Sequence, residues 1–202
     1  MMIKKLKFYL LFLVILGLAQ SCGQQKSDTV GESDSIEESS GSEPASTSIA
    51  SPRKTATGEI GGVKITVDYG SPAVKGREIW GGLEAYDKVW RAGANETTSI
   101  EFAQALKFGE TQVPAGKYGF YLIPKESAPW VAILNKDWNR DEHGAWGAYN
   151  YNEDNDVVRL EINPVWLEEV EERLKYTVEN NSITLNWEKV QLNIPIGEQT
   201  AE

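Results

Sequence analysis

The series Val63-Lys64-Ile65-Thr66-Val67-Asp68-Tyr69 alternates apolar and polar side chains at a period of two. That pattern suits an extended strand with one face buried and the other wet, and it does not suit a helix. Comparable stretches recur at 98–103, 117–123, 130–135 and 157–162. Leu174-Lys175-Tyr176-Thr177-Val178 and Ile183-Thr184-Leu185-Asn186-Trp187 flank Asn180-Asn181, a pair that tolerates the positive φ of a tight hairpin. A last strand is expected at 190–194, after Glu188-Lys189. Gly61-Gly62, Pro114-Ala115-Gly116, Pro124 and Pro129 punctuate the series. The expected fold is all-β: an antiparallel β-sandwich, jelly-roll or Ig-like in layout, with one or two short helices. Those helices are expected at 82–90, and at 164–170 with Asn163 as cap and Pro164 at the first helical position.

The chain before residue 51 has a different composition. Lys4, Lys5 and Lys7 precede an apolar run from Phe8 to Ala19. The run is too short to cross a bilayer, which takes about 20 apolar residues as a helix, and it has the length of a signal-peptide core. Ala19-Gln20-Ser21-Cys22 follows and resembles the lipobox of bacterial lipoproteins, in which the Cys becomes the lipidated first residue. Residues 1–21 therefore read as a lipoprotein signal peptide, with Cys22 as the lipidation site and the membrane as the partner it reaches. An Asp after the Cys would resemble an inner-membrane retention signal. Gly23 stands there, so the expected location is the cell envelope at the outer membrane, with the periplasmic and surface faces both open.

From Gly23 to Ala50 the sequence is rich in Ser, Gly, Glu and Asp, with six acids against Lys26. It lacks the apolar surface needed to offset the entropy of ordering, so 22–50 read as a lipidated Cys and a disordered acidic tether. Such a chain spans on the order of 30 Å. Asp28-Thr29-Val30 and Asp34-Ser35-Ile36 in it resemble an Asp–Ser/Thr–apolar O-glycosylation signal of one Gram-negative group.

Composition removes several functions from residues 51–202. The whole chain carries a net charge of −10, and loss of the three signal lysines leaves the mature part near −13. No basic face is available for nucleic acid. One cysteine and one histidine exclude an intramolecular disulfide, a Cys-based zinc site and a His-rich metal site. No nucleophile elbow, phosphate loop, dinucleotide fingerprint or zinc-protease helix is present. Neither a metal nor another cofactor is expected.

A family resemblance rests on a specific set of residues. Ser51-Pro52-Arg53, Asp68-Tyr69-Gly70-Ser71-Pro72 and Val74-Lys75-Gly76-Arg77-Glu78-Ile79-Trp80-Gly81-Gly82-Leu83 open it. Lys88-Val89-Trp90-Arg91-Ala92-Gly93-Ala94-Asn95-Glu96-Thr97-Thr98, Pro114-Ala115-Gly116-Lys117-Tyr118, Asn135-Lys136, Trp146-Gly147-Ala148-Tyr149 and Trp187-Glu188-Lys189 continue it. Together they resemble the exported bacterial proteins grouped as domain-of-unknown-function family 2911, over nearly all of 51–202. The resemblance implies a location and a fold, and no reaction. One departure is the insert Arg140-Asp141-Glu142-His143-Gly144-Ala145, where members run more directly from Asn-Lys to Trp-Gly.

Two stretches could carry chemistry. Between Lys75 and Glu96 lie Arg77, Trp80, Arg91, Asn95 and Glu96, with glycines that allow close backbone approach. Arg offers a planar fork to carboxylate or phosphate and Trp a stacking face, so the stretch could hold a glycan or a small anion. The same residues could instead be scaffold, with Arg91 paired to Glu96 and Trp80 and Trp90 plugging the end of the sandwich. The second stretch holds Trp138, His143, Trp146, Tyr149 and Tyr151, either a glycan-binding aromatic cluster or core, with His143 a solvated loop residue. The run Asn152-Glu153-Asp154-Asn155-Asp156 offers hard oxygens for Ca²⁺ but reads as a polar turn.

These observations lead to a lipid-anchored, non-catalytic ligand- or glycan-binding or envelope-maintenance module. The alternative is a hydrolase or lyase acting on envelope glycans through carboxylates near Glu96. A third reading is a structural partner of another envelope protein.

Overall fold

The computed structural model describes residues 50–179 and 181–197. The signal-like segment, Cys22 and the acidic stretch before residue 50 lie outside the described residues. The described chain folds into two antiparallel sheets. The larger has the order β1-β2-β3-β6-β7-β8, formed by β1 (Arg53–Ile60), β2 (Val63–Gly70), β3 (Thr98–Phe102), β6 (Gly116–Ile123), β7 (Trp130–Asn135) and β8 (Asp156–Ile162). The smaller has the order β5-β4-β10-β9, from β4 (Leu106–Phe108), β5 (Thr111–Val113), β9 (Val165–Glu179) and β10 (Ser182–Gly197).

The period-two pattern builds the core directly. Val63, Ile65, Val67 and Tyr69 of β2, Ile100 and Phe102 of β3, and Tyr118, Phe120 and Leu122 of β6 all face inward and are buried. Leu174, Tyr176 and Val178 of β9 and Ile183, Leu185, Leu192 and Ile194 of β10 belong to the same cluster. The β9–β10 hairpin turns beside Asn181, whose φ is +60°, with Ser182 opposite Glu179.

β10 doubles back on itself at Glu188, where φ is +54°. The Ile196 amide donates to the Asn181 carbonyl at 2.8 Å. Thr184 meets Asn193, and Asn186 meets Gln191, through their side chains. The expected break at Glu188-Lys189, with a strand on each side, is therefore present. Trp187 sits at the tip of this fold.

The two expected helices are not formed where they were placed. Residues 82–90 make a series of turns, in which the Leu83 amide donates to Glu78 O and the Gly81 amide to Glu84 O. Their apolar neighbours Ile79, Trp80 and Trp90 enter the core singly and trace no helical stripe. Residues 165–170 open β9, with Val165 opposite Gln191 and Trp166 opposite Val190. The β-branched and aromatic run there favours a strand, and Asn163-Pro164 makes the turn before it. Among the described residues the one α-helix is α1 (Arg140–His143), capped by the Asn139 side chain, which accepts from the Glu142 amide, and ended by Gly144 at φ +70°.

Four indoles close one end of the sandwich. Trp80 lies 4.7 Å from Trp130, 5.5 Å from Trp90 and 5.6 Å from Trp187, centroid to centroid. Trp90 stacks on Trp187 at 5.6 Å. The Trp90 N–H donates to Gly93 O and the Trp130 N–H to Lys125 O. Those of Trp80 and Trp187 are buried and find no acceptor among the described residues.

Candidate functional site

The face of the larger sheet turned away from the core should be wet, yet much of it is covered. Ser99, Tyr121, Ile133 and Asn135 point outward by strand alternation and are all buried. Their cover is the connection 136–155 between β7 and β8, which folds over the sheet as a roof.

Asn135 roots it. Its Nδ2 donates to Asn152 O at 2.8 Å and to the Asp156 carboxylate at 2.7 Å, and its Oδ1 accepts from the Asp137 amide. Asn155 donates to the Asp137 carboxylate, and Tyr151 and Arg159 both donate to Asp156. Partial burial, together with the bond to that carboxylate, pushes the Tyr151 hydroxyl well above the usual phenol range. In the run 152–156 considered for Ca²⁺, Asn152 Oδ1 and both carboxylate oxygens of Asp156 thus serve as hydrogen-bond acceptors. Among the described residues no three His, Cys, Asp or Glu side chains are grouped so as to hold a metal ion.

Between roof and sheet lies an open cleft of about 400 Å³. On the sheet side Arg53 anchors it. Its Nε sits 2.6 Å from the Asp68 carboxylate, its Nη2 donates to Asp68 O and Thr97 O, and its Nη1 is 3.7 Å from Glu96. Thr97 and Ser99 lie beside it, and Lys117 reaches in from β6. The roof contributes Trp138 and Trp146 as aromatic walls, with Arg140 and Asp141 of α1 between them in sequence. The Lys117 ammonium stands 4.2 Å above the Trp138 ring, and the Arg140 guanidinium 5.6 Å from the Trp146 ring centre. His143 packs against Trp138 and accepts from its amide through Nδ1, a staple inside the roof.

The structure brings the two sequence stretches together. Gly147, in the turn between Trp146 and Tyr149, lies so close to Arg91 and to the Asn95 carbonyl that a side chain there would collide with both. Arg91 itself donates to Asn95 O at 2.9 Å, and Thr97 donates to Gly147 O. Arg91 and Asn95 thus support the turn that presents Trp146 and Tyr149, which are 38% and 73% exposed. Glu96 faces the cleft, and its ion-pair partner is Arg53, where the scaffold reading expected Arg91. Arg77 and Trp80 stand apart from the cleft: Arg77 donates to the carbonyls of Ala73 and Val74, and Trp80 is in the indole quartet. Arg53, Asp68, Ser99, Lys117 and Arg140 escaped the sequence reading, because only the strand register and the fold of the roof over it bring them to one place.

Glu84 also escaped it. It sits in the turns next to Trp80, and burial pushes its carboxyl from 4.5 up to about 7 against the opposing pull of Arg91 and Arg77. A raised pKa means that the folded state holds the proton more tightly. The stabilisation is full below about 4.5 and is lost as pH rises through about 7. Glu84→Gln should therefore become more stable than the wild type by roughly 2–3 kcal/mol at pH 8 and lose that advantage at pH 4. Urea denaturation of both proteins at the two pH values checks this, and an equal difference at both would dispose of it.

The architecture is that of an antiparallel β-sandwich with a roofed cleft on the outer face of its larger sheet. Residues 51–196 match the family described as "Protein of unknown function (DUF2911)", and the chain belongs to it. No curated protein and no solved structure matches the chain.

Proposed function

We propose that this protein is a non-catalytic recognition module, lipid-anchored through Cys22 in the bacterial cell envelope at the outer membrane, and that it binds a glycan in the roofed cleft. The observation that carries this reading is the pair Trp138 and Trp146 flanking a polar cleft of about 400 Å³. Indole faces take the apolar side of a sugar ring, and the charged groups between them answer its hydroxyls. The two carboxylates on the sheet side of the cleft, Asp68 of β2 and Glu96 of the bend before β3, are both engaged by Arg53, which fits orientation of a ligand better than proton transfer to it. The lipobox-like Ala19-Gln20-Ser21-Cys22 supports the anchor.

Titration of the purified protein with an oligosaccharide panel, followed by tryptophan fluorescence and calorimetry, tests the reading. Trp146→Ala should weaken binding by at least about tenfold while the thermal midpoint shifts by no more than a few degrees, since the ring is partly exposed. Release of new reducing ends during the titration would favour the hydrolase alternative. Absence of binding to every glycan would return the search to protein partners.

A further inference from the structure

We infer that the glycan is acidic: the cleft takes a pyranose carrying an oxyanion, a carboxylate or a sulfate, which Lys117 and Arg140 read. This rests on the glycan-binding reading above and adds the charge class of the ligand.

The charge class rests on which charges of the cleft are held by a partner and where the weakly held ones stand. Arg53 is a cation of the sheet side, but Asp68 and Glu96 already engage it, with one negative charge left over. Lys117 and Arg140 are differently placed. The nearest carboxylate to Lys117 is Glu101 at 3.9 Å, whose side chain is 58% exposed, so solvent screens most of that attraction. Arg140 has no ion-pair partner among the described residues. Both cations rest on indole faces, Lys117 on Trp138 and Arg140 on Trp146. A cation–π contact at an exposed site is weak. Either head group can therefore leave its ring for an incoming anion without losing much.

That movement does two things at once. It brings a positive group to the ligand's oxyanion, and it bares an aromatic face for the sugar ring. A neutral sugar must displace the same cation to stack, with no charge to receive it. Asp141, on the roof beside Arg140, is the one further carboxylate lining the cleft. The lining is thus even, three cations to three carboxylates, in a mature chain near −13, and placement makes the difference: Asp68 and Glu96 are held by Arg53, while Lys117 and Arg140 stand on the aromatic faces where the ligand would lie. Repulsion from the rest of that charge is screened within about 8 Å at physiological ionic strength, so the local groups decide.

The test compares three size-matched oligosaccharide series, neutral, uronate and sulfated, titrated calorimetrically into the purified full-length protein in detergent at low and high salt. An acidic series should bind at least about tenfold tighter than the neutral one, with the advantage shrinking as salt rises. The uronate and sulfate arms identify which oxyanion is read. The double variant Lys117→Gln/Arg140→Gln should lose the preference, so that its affinities for the acidic and neutral series converge within about twofold. Equal affinity for neutral and acidic series overturns the inference and leaves glycan binding standing, as does a preference that survives in the double variant. Failure of all three series to bind removes the glycan-binding reading as well.

Discussion

Trp187→Ala is expected to cost the domain about 3–5 kcal/mol, the range for emptying a buried tryptophan site. Trp187 is fully buried at the tip where β10 reverses, stacked on Trp90 and edge-on to Trp80. Its neighbours are large rigid rings, which cannot collapse into the void as aliphatic chains partly do. A domain of ordinary stability, about 5–15 kcal/mol, would lose a third or more of it. Trp187→Phe separates packing from polarity. The indole N–H is buried without an acceptor among the described residues, and Phe removes that unmet donor while keeping most of the ring. Its cost should be less than half that of the alanine variant. Urea unfolding of the three proteins at one pH decides the matter. An alanine variant within 1 kcal/mol of wild type would mean that the quartet is not the structural plug described here, on the usual scale of surface substitutions.

Gly119→Ala is expected to lift the roof and abolish most ligand binding while the sandwich survives. Gly119 is on the outer face of β6, where the chain leaving β7 passes directly over it. A Cβ there would run into the Asp137 carbonyl oxygen and the Tyr121 ring. The carbonyl belongs to a residue held at its amide by Asn135 and at its carboxylate by Asn155, so it cannot step aside alone. Overpacking of this kind costs about 1–3 kcal/mol, and the strain should be relieved by displacement of 136–139. Trp138 moves with that segment, and one wall of the cleft goes with it. Affinity should fall by at least about tenfold, with far-UV circular dichroism unchanged and amide protection lost between residues 136 and 139. Unchanged protection there, with normal binding, would show that the roof is not seated on Gly119.

How much of this was legible depends on whether a feature repeats locally. β2 could be read because each of its residues declares a side, apolar in and polar out. β1 could not: Arg53-Lys54-Thr55-Ala56-Thr57-Gly58-Glu59 has no apolar alternation, since it is an edge strand exposed along most of its length. The misplaced helix at 164–170 shows a capping pattern outweighed by β-prone residues with a partner strand to meet. The real helix carried its own signal, Asn139 three residues before Glu142 with Gly144 after, within a stretch read only as an insert. For the site, residue type identified Trp146 and Glu96. Arg53, Asp68, Ser99 and Lys117 come from four strands, and the register that aligns Asp68 with Ser99 and Ser99 with Gly119 is tertiary information.

The roof starts and ends on a single rung of the sheet, because Asn135 and Asp156 are cross-strand neighbours and the Lys136 amide closes onto the Asn155 carbonyl. Topologically it is therefore an oversized hairpin loop, and no core strand depends on its length. A relative could shorten it, lengthen it or exchange it without re-registering the ladder beneath. Selection can then rewrite this wall of the cleft on a scaffold that stays the same, although Trp146-Gly147-Ala148-Tyr149 within it also carries part of the family resemblance. Transplanting residues 136–155 onto another member at this rung would be expected to carry the aromatic wall across with them.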